Sequence, residues 1–287
     1  MKINARTKLI GLFGWPVEHS LSPAMHNAAF GQMGLNYSYM ALPIAPDLLG
    51  DAVRAIKAFD MPGANVTVPH KENVIPYLDD IDEEARHIGA VNTIVHKDGK
   101  LKGYNTDGRG FMRSLEEAGI ETKDKNILVI GAGGASKAVS YYLSKEASKF
   151  FLFDIDKGKA ENLKNSLVDA GRTVHVPYDL PGIALAMDII INATPLGLKE
   201  SDPLPLEIEK ALAQNFPLMT KNTIIGDLIY KKTPLLREAE KAGLKTLNDL
   251  GLGMLLWQGV LASELWTGKM PPHDLMRAAL LEGMRAK

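Results

Sequence analysis

The chain has 287 residues, 46% hydrophobic and 23% charged, with formal net charge −1; this suits a two-domain soluble globular protein, and no basic stripe indicates nucleic-acid or anionic-membrane binding. It contains no cysteine, which excludes disulfides, thiol nucleophiles and thiolate-bound metal. No apolar run approaches the length of a membrane span, and Met1–Lys8 lacks the apolar core of a secretory signal, so the expected address is cytoplasmic.

Lys8–Gly14 reads as a first strand ending in glycine. Ser22 followed by Pro23 suits an N-cap and first helical position, and Ala24, Met25, Ala28, Ala29 and Met33 continue a helix. Capping is the commoner fate of Ser22; the sharper reading is that Ser20 and Ser22 offer hydroxyls to a small carboxylate at a helix start. Tyr37–Pro43 suits a second strand and Leu48–Phe59 an amphipathic helix. In Gly63–Val68, Asn65 and Thr67 alternate with apolar residues and share one face of a strand. That face either meets solvent, the commoner case, or lines a cleft with Lys71 at its exit. His70 beside Pro69 reads as a surface residue. Asp79–Arg86 is charged and helical, and Gly89–Val95 is a strand. Lys97–Lys100 carries a hairpin signal, and Leu101–Tyr104 returns. Asp107 stands where a helix Arg109–Ala118 begins, and an Asp there commonly caps.

The stretch from Ile127 carries the strongest local signal, after the polar Thr122–Asn126. Four apolar residues, Ile127–Ile130, look like a buried parallel strand. Gly131, Gly133 and Gly134 follow, and Ala138, Val139, Tyr142 and Leu143 recur at helical spacing. Strand, glycine turn and helix form the setting of a dinucleotide fingerprint, with bare N–H groups and a partial positive charge facing a pyrophosphate. Ser136 stands where the third small residue belongs. A second apolar strand, Phe150–Asp156, brings Asp154 to the spacing at which a carboxylate accepts from ribose hydroxyls.

Further on, Asn162–Leu167 is helical, Thr173–Val176 is a short strand, and Asp188–Thr194 is a buried strand ending at Pro195-Leu196-Gly197. Thr223–Tyr230 is another strand, and Glu200–Phe216 reads as surface decoration. The helices Leu250–Trp266 and His273–Met284 are apolar enough to bury both sides. They are expected to cross back onto the first domain and brace the cleft.

Seven spaced segments occur in one order: Ser20-Leu21-Ser22-Pro23, Asn65–Lys71, Gly89–Thr93, Gly103–Gly108, the glycine loop, Asn192-Ala193-Thr194 and Gly253–Gln258. Together they resemble the shikimate dehydrogenase family, including its quinate/shikimate branch, over nearly the whole chain. The resemblance implies an α/β substrate domain (1–108), a Rossmann-type doubly wound dinucleotide-binding domain (109–249) and C-terminal helices returning to the first domain (250–287). It implies NAD(P)-linked interconversion of shikimate and 3-dehydroshikimate, in a monomer or homodimer that needs no metal. Ser20 and Ser22 would hold the substrate carboxylate. Asn65, Thr67, Asn92 and Gln258 would hold ring hydroxyls, and Tyr230 would line the substrate site. Lys71 and Asp107 would be the catalytic pair, Lys71 as the acid/base and Asp107 as its partner, with the reverse emphasis the alternative. Gly131, Ala132, Gly133, Gly134, Ala135, Asp154, Asp156, Thr194 and Gly251 would bind the cofactor.

Two departures carry expectations. Where many NADP-using members have Asn-Arg-Thr, this chain has Asp154-Ile155-Asp156, and two carboxylates repel a 2′-phosphate. NAD is the expected cofactor, with NADP the alternative. The run Tyr230-Lys231-Lys232-Thr233-Pro234 lacks the family's Tyr-Asn-Pro and is shorter there, which bears on nicotinamide contacts. Oxidation of quinate as well, or preference for it, is the alternative within enzymes. A non-catalytic dinucleotide sensor is the alternative outside them, against which intact Lys71 and Asp107 argue. A folate-type dehydrogenase of similar build lacks support from the serine and asparagine motifs.

Overall fold

The computed structural model describes residues 3–177, 180–199, 202 and 219–285. The surface expected for Glu200–Phe216 lies outside the described residues, Asp202 excepted. The backbone divides into two compact units, Met1–Gly110 with Leu256–Lys287, and Phe111–Leu255.

The first unit is built on a mixed six-stranded sheet. Its strands are β1 (Lys8–Gly14), β2 (Tyr37–Pro43), β3 (Gly63–Val66), β4 (Asp80–Ile81), β5 (Thr93–Lys97) and β6 (Lys100–Tyr104), in the order β2-β1-β3-β5-β6-β4. β1 lies parallel to β2 and β3, whereas β5 runs antiparallel to both β3 and β6. The β5–β6 hairpin turns at Asp98 and Gly99, both at positive φ, as a two-residue turn between twisted strands demands. The segment expected to be helical from Asp79 is divided. Asp80–Ile81 pairs with β6, and α3 (Glu83–Ile88) starts only after Asp82, whose carboxylate accepts from Glu84 N–H. The strand expected from Gly89 starts at Thr93. Helices α1 (Ser22–Gln32) and α2 (Leu49–Ala58) complete the N-terminal part.

α9 (Leu250–Thr267) enters this unit from Leu256 onward, and α10 (His273–Arg285) packs on α1. The return of these helices explains their apolar character: Leu256, Val260, Ala262, Met276 and Leu280 are buried. Trp266 donates from Nε1 to the Ile94 carbonyl at 2.9 Å. A Cβ on Gly63 would lie 2.0 Å from that carbonyl oxygen and 2.6 Å from the indole nitrogen. Gly63→Ala is therefore expected to cost roughly 3 kcal/mol through overpacking against backbone, read as a lowered urea midpoint at unchanged m.

The second unit holds a parallel sheet of β7 (Asn126–Ile130), β8 (Lys149–Phe153), β9 (Ile189–Asn192), β10 (Ile224–Asp227) and β11 (Lys245–Leu247), in the order β11-β10-β9-β7-β8. The central strands β7, β8 and β9 read as nearly unbroken apolar runs because both faces of the sheet are covered. Ile127, Val129, Ile189 and Ile191 belong to one core, while Leu128, Ile130 and Ile190 belong to the other. α4 (Asp107–Glu117) leads into this unit. It is followed by α5 (Gly134–Glu146), α6 (Lys157–Asp169), α7 (Leu180–Ala184) and α8 (Pro234–Lys241). The strand expected at Thr173–Val176 is reduced to a single bridge between His175 and Phe151. β7 and β9 are neighbours, with β8 on the far side of β7. The order thus reverses at β7–β9, the switch point at whose carboxyl ends ligands bind in such sheets.

Candidate active site

In the first unit, several elements bring polar side chains together. Lys71 lies in the turn beyond β3, and its main-chain carbonyl accepts from Val91 N–H. Its Nζ stands 2.6 Å from Asp107 Oδ2, with side-chain exposures of 17% and 7%. Asp107 is the first residue of α4. It does more than mark a helix start, since its second oxygen, Oδ1, accepts from Asn92 Nδ2 at 2.9 Å. Gln258 Oε1 lies 3.4 Å from the same amide nitrogen. A half-buried ammonium thus rests on one carboxylate oxygen while an amide holds the other.

Asn65 is buried on β3; it faces no solvent, contrary to the commoner reading of its polar face. Its Nδ2 donates to the Asn92 carbonyl and to Thr93 Oγ1, and its Oδ1 accepts from the Tyr39 hydroxyl at 2.7 Å. The Tyr39 ring stacks on His26 with centroids 4.3 Å apart. Burial lowers the His26 pKa to about 3, so the ring stays neutral, and burial pushes the Tyr39 phenol upward. Ser22 also hydrogen-bonds Tyr39. Ser22 does not cap α1: the cap position is Leu21, and no side chain closes it. The Ser22 N–H instead donates to Ser20 Oγ at 3.2 Å. Thr67 falls one residue past β3 and is half-buried. His70, expected at the surface, is fully buried, with Nε2 2.7 Å from the Ile44 carbonyl.

In the second unit, Gly131 has φ +104°, and a Cβ there would lie 3.0 Å from the Ala193 backbone. The tight turn after β7 therefore requires glycine. A Cβ on Gly133 or Gly134 would meet nothing within 4 Å. Space thus lies open over the start of α5, where the first-turn N–H groups have no acceptor within the helix. Ser136 is buried, and its hydroxyl donates to the Gly131 carbonyl. Asp154 lies just past β8. Its Oδ2 accepts from Ala132 N–H at 2.7 Å and its Oδ1 from Asp156 N–H at 2.8 Å. This carboxylate braces the glycine turn as well as carrying charge to its mouth. Asp156 caps α6, accepting from Lys159 N–H. Thr194 closes the loop after β9, both its N–H and its hydroxyl donating to Asn192 Oδ1. These features fit a dinucleotide: a glycine-rich turn with open space over Gly133 and Gly134, the first-turn N–H groups of a helix, and a carboxylate at the end of the second strand.

Residues 12–94 match the shikimate dehydrogenase substrate-binding domain family, and residues 251–281 match the shikimate 5′-dehydrogenase C-terminal domain. The shikimate dehydrogenase (NADP(+)) of Desulforamulus reducens is 45% identical, with 97% of this chain and 96% of the relative covered. The crystal structure of shikimate dehydrogenase from Aquifex aeolicus superposes with a TM-score of 0.88 at 42% identity, covering 97% of this chain and 99% of that one. The chain belongs to the shikimate dehydrogenase family. A further member, shikimate 5-dehydrogenase from Listeria monocytogenes in complex with shikimate and NAD, superposes with a TM-score of 0.87 at 36% identity, covering 97% of this chain and 98% of that one. As a shikimate dehydrogenase family member, the protein is an NAD(P)-dependent oxidoreductase acting on a CH–OH group.

Of the residues expected in this family's site, Lys71, Asp107, Asn92, Asn65 and Gln258 join one connected set, to which Ser22 links through Tyr39. Tyr230 is half-buried in the second unit. Gly251 serves a packing purpose: a Cβ there would lie 2.4 Å from the Leu228 carbonyl oxygen. Sequence reading missed Tyr39, Thr93 and Thr106, all buried. Thr93 and Thr106 each follow an asparagine, but only the fold, which pairs Thr93 with Asn65 across β3–β5 and brings Thr106 onto Asn92, reveals what they hold.

Asp227, at the end of β10, also escaped notice. Its Oδ2 accepts from Asn192 Nδ2 at 3.0 Å and Thr233 Oγ1 at 2.8 Å, and its Oδ1 from Ile229 N–H at 2.9 Å. Burial raises its pKa to about 6 against an ordinary 3.8, outweighing those bonds. The folded state therefore holds this proton more tightly than the unfolded chain. The corresponding stability is full below pH about 4 and is lost as pH rises through about 6. Asp227→Asn is expected to flatten the change in melting temperature across that window, and an unaltered slope in the variant would exclude Asp227 as its source.

Proposed function

We propose that the protein interconverts shikimate and 3-dehydroshikimate, with Lys71 as proton carrier and NAD as the preferred cofactor. The observation that carries the reading is the 2.6 Å contact between Lys71 Nζ and Asp107 Oδ2. Oxidation of an alcohol carbon removes a hydride from carbon and a proton from its oxygen. A nicotinamide cofactor held by the glycine turn would supply the hydride acceptor for oxidation and the hydride donor for reduction. The Lys71 amine takes the proton in oxidation, and the ammonium returns it to the developing alkoxide in reduction. Asp107 orients the lysine by accepting from it, while Asn92 steadies the other carboxylate oxygen.

Ser20 and Ser22 would receive the substrate carboxylate. Asn65, Thr67, Asn92 and Gln258 would bind the ring hydroxyls, and Tyr230 would be a further substrate contact. Gly131, Ala132, Gly133, Gly134 and Ala135 would hold the pyrophosphate. Asp154 and Asp156 would face the adenosine ribose, and Thr194 and the Gly251 segment would border the nucleotide. The open space over Gly133 and Gly134 supports a dinucleotide, and the carboxylates at Asp154 and Asp156 support NAD. So does the Listeria relative solved with shikimate and NAD. The D. reducens relative, named for NADP(+), makes the cofactor a real test.

Rates measured for shikimate and quinate against NAD and NADP, by absorbance of the reduced nicotinamide, test the proposal. Highest kcat/KM for shikimate with NAD supports it. A quinate maximum moves the enzyme to a catabolic role. Absence of turnover with all four pairs sinks the catalytic reading in favour of a sensor.

A further inference from the structure

The hydrogen bonds around Asn65 and Asn92 have a fixed direction. The Asn92 main-chain carbonyl can only accept, so the amide end 3.0 Å from it is Asn65 Nδ2. Asn65 Oδ1 consequently faces Tyr39, whose hydroxyl donates. The Thr106 main-chain N–H can only donate, and it meets Asn92 Oδ1 at 2.8 Å. That turns Asn92 Nδ2 toward Asp107 Oδ1. Between the two amides lies Thr93 Oγ1. It accepts from Asn65 Nδ2 at 3.0 Å and donates to Asn92 Oδ1 at 2.9 Å. Thr93 is fully buried and paired with Asn65 across the β3–β5 ladder, so solvent cannot replace either partner.

We propose that Thr93 is a positioning residue for the reaction: its hydroxyl bridges both amides, tightening the orientations that the main chain sets, and so holds the Asn92 donor on the carboxylate that carries Lys71. The inference rests on the reading of Lys71 and Asp107 as the acid/base pair. Thr93 bonds neither of them and acts through Asn92. Removing its hydroxyl leaves each amide one partner short while each keeps a backbone anchor, Asn65 on the Asn92 carbonyl and Asn92 on the Thr106 N–H, with the Thr106 hydroxyl still beside the Asn92 amide. The fold survives and the orientation loosens.

The test compares Thr93→Val, Thr93→Ala and Thr93→Ser in the full chain, by steady-state kinetics and by solvent exchange of the Asn65 and Asn92 side-chain amides in 15N NMR. Expected for valine and alanine are a ten- to hundredfold fall in kcat, an unchanged KM for the nicotinamide cofactor, and at least tenfold faster exchange of both amides. Serine, which keeps the hydroxyl, is expected to stay within threefold of wild type in kcat and in exchange. Valine and alanine variants that fold and keep kcat within twofold overturn the inference. So does a serine variant as impaired as valine, which would assign the effect to the lost methyl. Wild-type protein with no turnover would instead overturn the acid/base reading, and the amide exchange would still decide whether Thr93 sets the two orientations.

Discussion

Lys71→Ala is expected to lower kcat by about a thousandfold, within the range general acid–base groups contribute, while shikimate binding measured by calorimetry changes little. The separation follows from geometry. The ammonium rests on Asp107 and remains partly reachable, whereas the groups proposed to bind the ring, Asn65, Asn92 and Gln258, are anchored by other partners. Losing the lysine removes the proposed proton carrier and leaves those partners intact. Asp107→Asn is the companion variant. Each Asp107 oxygen faces an N–H donor, Lys71 Nζ on one side and Asn92 Nδ2 on the other. An amide offers one acceptor and one donor, so either orientation sets two donors against each other. A loss of roughly a hundredfold in kcat is expected, with a higher KM because Asn92 is disturbed as well. Turnover of Lys71→Ala near the wild-type rate would remove the proton-carrier role.

The second large effect concerns the cofactor. Wild-type enzyme is expected to favour NAD over NADP by tenfold or more in kcat/KM. Ile155→Arg combined with Asp156→Thr is expected to swing that ratio toward NADP by about a hundredfold, equivalent to about 2.7 kcal/mol. A phosphate ester near the carboxylates of Asp154 and Asp156 meets like charge, whereas an arginine pairs with it through charge-assisted bonds. The substitutions are mild for the fold. Ile155 is 70% exposed and yields little packing, and threonine still serves at the N-cap of α6. Asp154 is left in place because its two oxygens hold the Ala132 N–H of the glycine turn and the Asp156 N–H at the start of α6. Wild-type efficiency with NADP equal to or above that with NAD would overturn this assignment.

The β7-turn-α5 stretch was legible from local pattern alone, because a strand buried on both faces must be apolar at every position and a turn at positive φ must use glycine. β9 was legible for the first of these reasons. The order of spaced motifs was legible too, and with it the family, since sequence likeness survives without any coordinates. Other features were not. The parity of Asn65 was readable, but whether its face met water depended on β5 lying beside β3. His70 looked exposed because the partner that holds it, the Ile44 carbonyl, is 26 residues away in sequence. Thr173–Val176 has the composition of a strand, yet it makes one bridge to the sheet edge, since composition specifies tolerance for a strand and not a neighbour to bond. The Asp80–Ile81 pair lay hidden in a charged run, because a two-residue strand has no period to detect.

Sequence alone determined which residue types stand at which spacing: an apolar parallel sheet, a glycine turn, a lysine beyond a polar strand and an acid at a helix start. Tertiary structure alone decided that the lysine and that acid, 36 residues apart, share one hydrogen bond, and that two amides and a threonine fix its surroundings. The physical reason is range. Propensity and pattern act within a turn or a strand, whereas a hydrogen bond between distant segments exists only once the sheet register has brought its donor and acceptor within about 3 Å.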